Sequence, residues 1–170
     1  HGGDSDHNAL SWCSDANAVY ARSFTLDANA LGPMVAAPHS PANSSGIAEH
    51  AGTRIDQAYI GACVGAKLED LHMAAAILKG RKVAKGTRLL VAPSSAQTTA
   101  QAAADGTLAT LTAAGAILMP SGCGACAGMG AGLLSDGETC ISSTNRNFKG
   151  RMGHSGSHVY LGSPYTVAAS

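Results

Sequence analysis

From Arg54 onward the sequence alternates short apolar runs with stretches of helical spacing, and this rhythm restricts the chain to one broad class of fold. IDQAYIGA (55–62), RLLVAP (88–93), AILMP (116–120), TCISST (139–144) and HVYLG (158–162) read as strands bounded by turn residues. Between them, KLEDLHMAAAILKG sets Leu68, Leu71, Ala75 and Leu78 at helical spacing and closes at Gly80. SSAQTTAQAAADG reads as a helix with Ser94 or Ser95 as its N-cap, and TLATLTAAG as a further short helix. Strands alternating with helices predict an α/β domain with a mainly parallel sheet and helices on both faces, a three-layer α/β/α sandwich. Apolar residues make up 45% of the chain but aromatics only 4%, so the core must be built from small, closely packed side chains.

The flanks are less regular. Residues 1–19 read as an irregular tail or linker, and 20–170 as the domain. SFTLDA (23–28) alternates like a half-buried strand, and PHSPANSS (38–45) reads as a loop. The chain opens on His1 in the polar stretch HGGDSDHN and stops within PYTVAAS, where a helix begins. We expect a piece of a longer protein.

Charge narrows the function classes. Eleven basic and eleven acidic side chains cancel, leaving no basic stripe for nucleic acid. No apolar run approaches the ~20 residues needed to span a membrane, and no signal peptide is visible. The five cysteines are unevenly spread and do not form a secreted disulfide pattern. A reducing compartment, the cytoplasm or an organelle matrix, is expected.

In parallel sheets ligands bind beyond the carboxyl ends of the strands. Cys63 follows the first of the five runs, and Pro93, Ser94 and Ser95 the second. Cys123 and Cys126 follow the third, and TNRNFKGRMGH follows the fourth, carrying Asn145, Arg146 and Arg151. Three cysteines, an Asn–Arg pair and a second arginine therefore gather at one edge. The CGAC motif suits an iron–sulfur cluster, a thiol–disulfide redox pair or part of a zinc site. The redox reading leaves Cys63 and the arginines without a role, and AGMGAG is a poor helix start, since glycine costs about 1 kcal/mol relative to alanine. A zinc site would draw its fourth ligand from Cys140, His154 or His158, yet no second paired-ligand motif is present. Cys140 lies in an apolar run and reads as a buried small hydrophobe. Cys13 reads as incidental.

Taken together, these residues resemble the aconitase superfamily, in particular the large subunits of 3-isopropylmalate dehydratase and homoaconitase. IDQAYIGACVGAKLEDLHMAAAILKGRKV resembles the segment bearing the family's first cluster cysteine. PSGCGACAGMGAGLLSDGETCISSTNRNFKGRMGH resembles the segment bearing the other two and the substrate arginines, and SHVYLGSPYTVAAS the strand and helix that follow. The likeness runs from about Tyr20 to the end. It implies that Cys63, Cys123 and Cys126 hold three irons of a 4Fe-4S cluster whose fourth iron has no protein ligand. It also implies that Asn145, Arg146 and Arg151 face a hydroxy-carboxylate substrate, most closely 2-isopropylmalate, in a hydro-lyase reaction. It implies further that the catalytic base comes from a swivelling small subunit or domain and that histidine–aspartate pairs come from missing N-terminal domains, so the fragment alone is expected to be inactive. Asn147, Phe148 and Gly150 read as scaffold. One departure stands out: the family commonly follows its first cysteine with Thr-Asn-Gly, whereas Val64 and Gly65 follow Cys63 here. The alternatives kept open are a homoaconitase or related aconitase-type hydratase, a thiol–disulfide redox enzyme on Cys123 and Cys126, and a cluster-binding module without turnover.

Overall fold

The computed structural model describes residues 13–170. The polar opening HGGDSDHN, expected as tail, lies outside them. The chain divides into two compact units at the Leu31–Gly32 junction. In the first, the described residues form one 3-10 turn, Ala28–Ala30, capped by Asp27, whose Oδ1 accepts from the Asn29 N–H at 2.9 Å. The strand expected at 23–28 does not form, and Phe24 and Leu26 are exposed. Apolar alternation marks which face a strand would bury, but a strand also needs a neighbour to take its backbone hydrogen bonds.

The second unit is a seven-stranded sheet. Its strands are β1 (Met34–Ala36), β2 (Ser44–Gly46), β3 (Gln57–Gly61), β4 (Arg88–Ala92), β5 (Ile117–Leu118), β6 (Thr139–Ser142) and β7 (His158–Leu161). They lie in the order β2-β1-β7-β6-β3-β4-β5. Strands β3 to β7 are mutually parallel, and β1 runs antiparallel to both β2 and β7. All five expected strands are present, each shorter than its apolar run. The β1–β2 hairpin was not legible, and β2 begins inside the stretch read as loop. Three-residue strands are too short to carry a periodicity. The path matters for function: from β3 the chain builds outward through β4 to β5, then returns to place β6 on the other side of β3. Strand order reverses between β3 and β6, the kind of place where open α/β sheets leave a crevice.

Four helices follow the expected pattern: α1 (Leu68–Leu78), α2 (Ala96–Ala104), α3 (Thr107–Ala114) and α4 (Pro164–Ala169). Leu71, Ala74 and Leu78 give α1 one buried stripe. Ser95 is the N-cap of α2, its Oγ accepting from the Thr98 N–H at 3.1 Å. All four helices join one apolar cluster with Ala58, Ile60, Leu89, Val91 and Ile141. The helices expected on both faces thus lie on one. The opposite face, with Tyr59, Leu90, Cys140 and Val159, is covered by Ala125, Cys126, Leu134 and Met152 from irregular chain between β5 and β7. A third layer exists, but its glycine-rich sequence resists helix formation. Among the described residues no helix is long and apolar enough to cross a membrane.

Asp105 joins α1 to the α2–α3 turn, accepting from the Thr107 N–H at 2.9 Å and lying 2.8 Å from His72 Nε2. Hydrogen bonds from Thr107, and secondarily from His72, lower its pKa from 3.8 to about 2. A depressed carboxylate stabilises the fold above its unfolded pKa and loses that contribution as pH falls through the folded one. Acid unfolding followed by circular dichroism should therefore lose stability between pH 3.8 and about 2. Asp105→Asn should flatten that part of the curve.

Candidate functional site

Cys63, Asn145 and Arg146 closely follow strand ends, whereas Cys123, Cys126 and Arg151 lie further along the chain after β5 and β6. Strand β3 is buried along its length. Beyond it the chain turns through Ala62, exposed Cys63, exposed Val64 and buried Gly65 before entering α1, where Asp70 Oδ2 accepts from the Lys67 N–H at 3.0 Å. The turn is drawn against the end of β6. A Cβ on Gly65 would run into the Ser143 carbonyl oxygen and lie 2.7 Å from the Gly61 oxygen. Only glycine fits this approach. Gly65 is thus more than the loss of a polar side chain; the turn is closed more tightly than an Asn at that position would allow.

The CGAC segment leaves edge strand β5 and swings back over the sheet. Gly124–Ala127 forms a 3-10 turn ended by Gly128 in the left-handed region (φ 72°). Ala125 and Cys126 are buried in the cluster that contains Tyr59, Ala62, Leu90 and Ala92, whereas Cys123 is exposed. Tyr59 locks this return. Its ring lies along the strand across Gly61, where a Cβ would stand 2.7 Å from Cζ. Its hydroxyl reaches the turn, 3.8 Å from the Cβ position of Gly124, and the Cys126 N–H donates toward it. Burial, with Cys126 adding to it, pushes the Tyr59 phenol up to about 12, so it stays neutral.

After β6 the chain is pinned at two points. Ser142 Oγ lies 2.9 Å from Thr144 Oγ1 and accepts from the Thr144 N–H at 3.2 Å. Asn147 is fully buried, and its Nδ2 faces the carbonyls of Ala36, Ala37 and Val159 at 3.3, 2.9 and 2.9 Å. Asn145 and Arg146 project between these anchors and are exposed. Arg151 approaches the cysteines directly: its Nη2 lies 3.9 Å from Cys126 Sγ, and its guanidinium carbon 5.3 Å from the centre of the Phe148 ring. Its Nε is buried and has no hydrogen-bond partner among the described residues.

The structure therefore joins Cys126 and Arg151 by contact, and gathers Cys63, Cys123, Asn145 and Arg146 on the carboxyl side of the sheet. The scaffold role expected for Asn147 is met. Ser143 and Tyr59 were missed; Ser143 reaches residues 78 and 82 positions away, which no local pattern signals. The zinc alternative loses its further ligands. Cys140 is fully buried in β6, with burial raising its thiol to about 12. His154 turns to Asp136 at 3.1 Å, and His158 begins β7 at the opposite edge. Among the described residues no three His, Cys, Asp or Glu side chains converge on one ion position. A cluster asks for something else, each thiolate meeting its own iron. Cys63, Cys123 and Cys126 offer only thiol donors, the ligand type such clusters take. The redox alternative lacks its usual support, since the CGAC segment opens a four-residue 3-10 turn and not an α-helix whose dipole would activate a thiol.

Gly65→Ala should cost about 1–3 kcal/mol through overpacking against Ser143, measured by urea denaturation of the metal-free protein.

Comparison with known proteins agrees with this arrangement. Residues 3–170 match the aconitase family (aconitate hydratase). The chain is 48% identical over 156 residues to 3-isopropylmalate dehydratase large subunit 1 of Deinococcus radiodurans, covering 92% of this chain and 36% of that protein. It is 47% identical over 156 residues to the homoaconitase large subunit of Thermus thermophilus, covering 92% and 37% respectively. It is 45% identical over 157 residues to 3-isopropylmalate dehydratase large subunit 2 of Archaeoglobus fulgidus, covering 92% and 38%. The chain thus spans little more than a third of the length of these relatives. With its motifs set on a parallel sheet and a family match running almost from end to end, this chain belongs to the aconitase family.

Proposed function

We propose that this chain is the cluster-bearing part of a hydro-lyase that removes and re-adds water on a hydroxy di- or tricarboxylate. The observation that carries the reading is the Arg151 guanidinium 3.9 Å from Cys126 Sγ. It sets a cation able to bind a carboxylate directly beside one of the three proposed ligand thiols. Cys63, Cys123 and Cys126 would hold a 4Fe-4S cluster. When bound, such a cluster supplies Lewis acidity at an iron that no protein side chain occupies.

This chain's own residues do the binding and orienting. A guanidinium matches a carboxylate through two parallel N–H bonds, which fixes both distance and rotation. Arg151 stacks on Phe148 and keeps a buried Nε with no partner among the described residues, so its fork has donor capacity for a substrate carboxylate. Arg146 and Asn145, held between the Thr144 and Asn147 anchors, would contact the substrate's other oxygens. The base that takes the substrate proton belongs, on this reading, to a further domain or a swivelling small subunit. The names of the relatives favour 2-isopropylmalate, hence leucine biosynthesis, with homoaconitate as the alternative. Cysteine usage suits a reducing compartment, the cytoplasm or an organelle matrix.

Protein purified without oxygen should be brown and carry iron and sulfide. Serine at Cys63, Cys123 or Cys126 should remove most of the iron, and serine at Cys140 should not; full iron in Cys63→Ser would overturn the ligand set. In the complete enzyme Arg151→Lys should keep the cluster. Breaking a buried charge pair costs about 2–5 kcal/mol, so kcat/KM should fall by roughly 30-fold or more. Steady-state kinetics beside iron content for the same preparation would check this. Near-normal kinetics would remove Arg151 from the substrate site.

A further inference from the structure

We propose that Ser143 is the positioning residue for the Cys63 thiol, a role that rests on the ligand reading above. Ser143 is the first residue beyond β6. Its N–H donates to the Tyr59 carbonyl at 3.0 Å, extending the pairing of β6 with β3. Its hydroxyl reaches both ends of the turn, lying also 3.5 Å from the Gly61 carbonyl. It accepts from the Gly61 N–H at 3.2 Å and donates to the Gly65 carbonyl at 2.7 Å. Gly61 and Gly65 stand two residues before and two residues after Cys63, so one hydroxyl ties both ends of the ligand's turn.

The turn needs this tie because packing does not hold the thiol. Cys63 is exposed, and Val64 beside it is 46% exposed. A side chain in that position takes its place from its backbone alone. The backbone is fixed by the Ser143 hydroxyl on one side and by the fit of Gly65 against the Ser143 carbonyl on the other. Ser143 also lies two residues before Asn145. The segment that presents the substrate pair therefore sets the position of the ligand turn, and the two halves of the site are registered through one residue.

The test compares Ser143→Ala, Ser143→Thr and Cys63→Ser with the parent in the full chain purified anaerobically. Three quantities are read: iron and sulfide per chain, the rate at which a chelator strips the iron, and the alkylation rates of Cys63 and Cys123 in metal-free protein by mass spectrometry. Removing groups that orient metal ligands typically weakens binding 10–100-fold. Ser143→Ala should therefore lose iron roughly 10-fold faster or more. It should change the alkylation rate of Cys63 and leave that of Cys123 alone, and Ser143→Thr, which keeps the hydroxyl, should restore both. Parent-like iron loss and Cys63 alkylation in Ser143→Ala would overturn the role while leaving the ligand reading intact, provided Cys63→Ser still fails to load. Equal changes at Cys63 and Cys123, or no rescue by threonine, would mean general loosening and would also overturn it. Full loading of Cys63→Ser would overturn the ligand reading and this role with it.

Discussion

Strand β3 is buried along its whole length, flanked by β4 on one side and β6 on the other. That position forces the chain to leave β3 for one half of the sheet and return for the other half. At such a reversal the chains leave the two strand ends in different directions, the kind of place where a crevice opens. Cys63 leaves from one lip of this crevice, and Asn145 and Arg146 from the other. The hydrogen bonds between Ser143 and the Gly61–Gly65 turn close the crevice from beneath. Without the reversal, these residues would lie on unrelated parts of the sheet.

The second half of the site has a different origin. Strand β5 is an edge strand of two residues, separated from β3 by β4. Cys126 reaches Arg151 because the chain after β5 folds back over the sheet face that the helices leave uncovered. Burial drives that return: Ala125, Cys126, Leu134 and Met152 cover Tyr59, Leu90 and Cys140. The bridge between Leu134 and Gly153 ties the same segment to the one carrying Arg151. A glycine-rich stretch that would make a poor helix can follow the sheet closely, and the absence of a helix here leaves room for a site. Tyr59 is the fixed point of this arrangement, since its ring spans the distance between the central strand and the CGAC turn.

The electrostatics divide in the same way. The acidic and basic pairs Arg54–Asp56 and Arg88–Glu138 involve residues around the amino edge of the sheet. At the carboxyl edge, Asn145 and Arg146 are exposed, and Arg151 faces sulfur, with no carboxylate partner among the described residues. A guanidinium beside a thiol is suited to an anionic ligand. The neutral, buried Tyr59 and Cys140 keep further charge out of the layer beneath.

The sequence by itself determined the elements with a long enough period to read: the five parallel strands, helices α1 to α3, a serine cap at 94 or 95 and the motifs that follow the strands. Those depend on local spacing, capping chemistry and turn residues, which act within a few positions. The β1–β2 hairpin, the absent strand at 23–28 and the single helical face were decided only by tertiary structure. Each depends on whether a distant segment supplies hydrogen bonds or apolar surface. The motifs named the cysteines and arginines, but Ser143 and Tyr59 became visible only when segments some 80 residues apart met. Gly65 shows the difference most directly. In sequence it reads as a lost polar group, whereas in the fold it is the residue that lets the Cys63 turn close on Ser143. A close backbone approach is a relation between two chain segments and leaves no mark on either one alone.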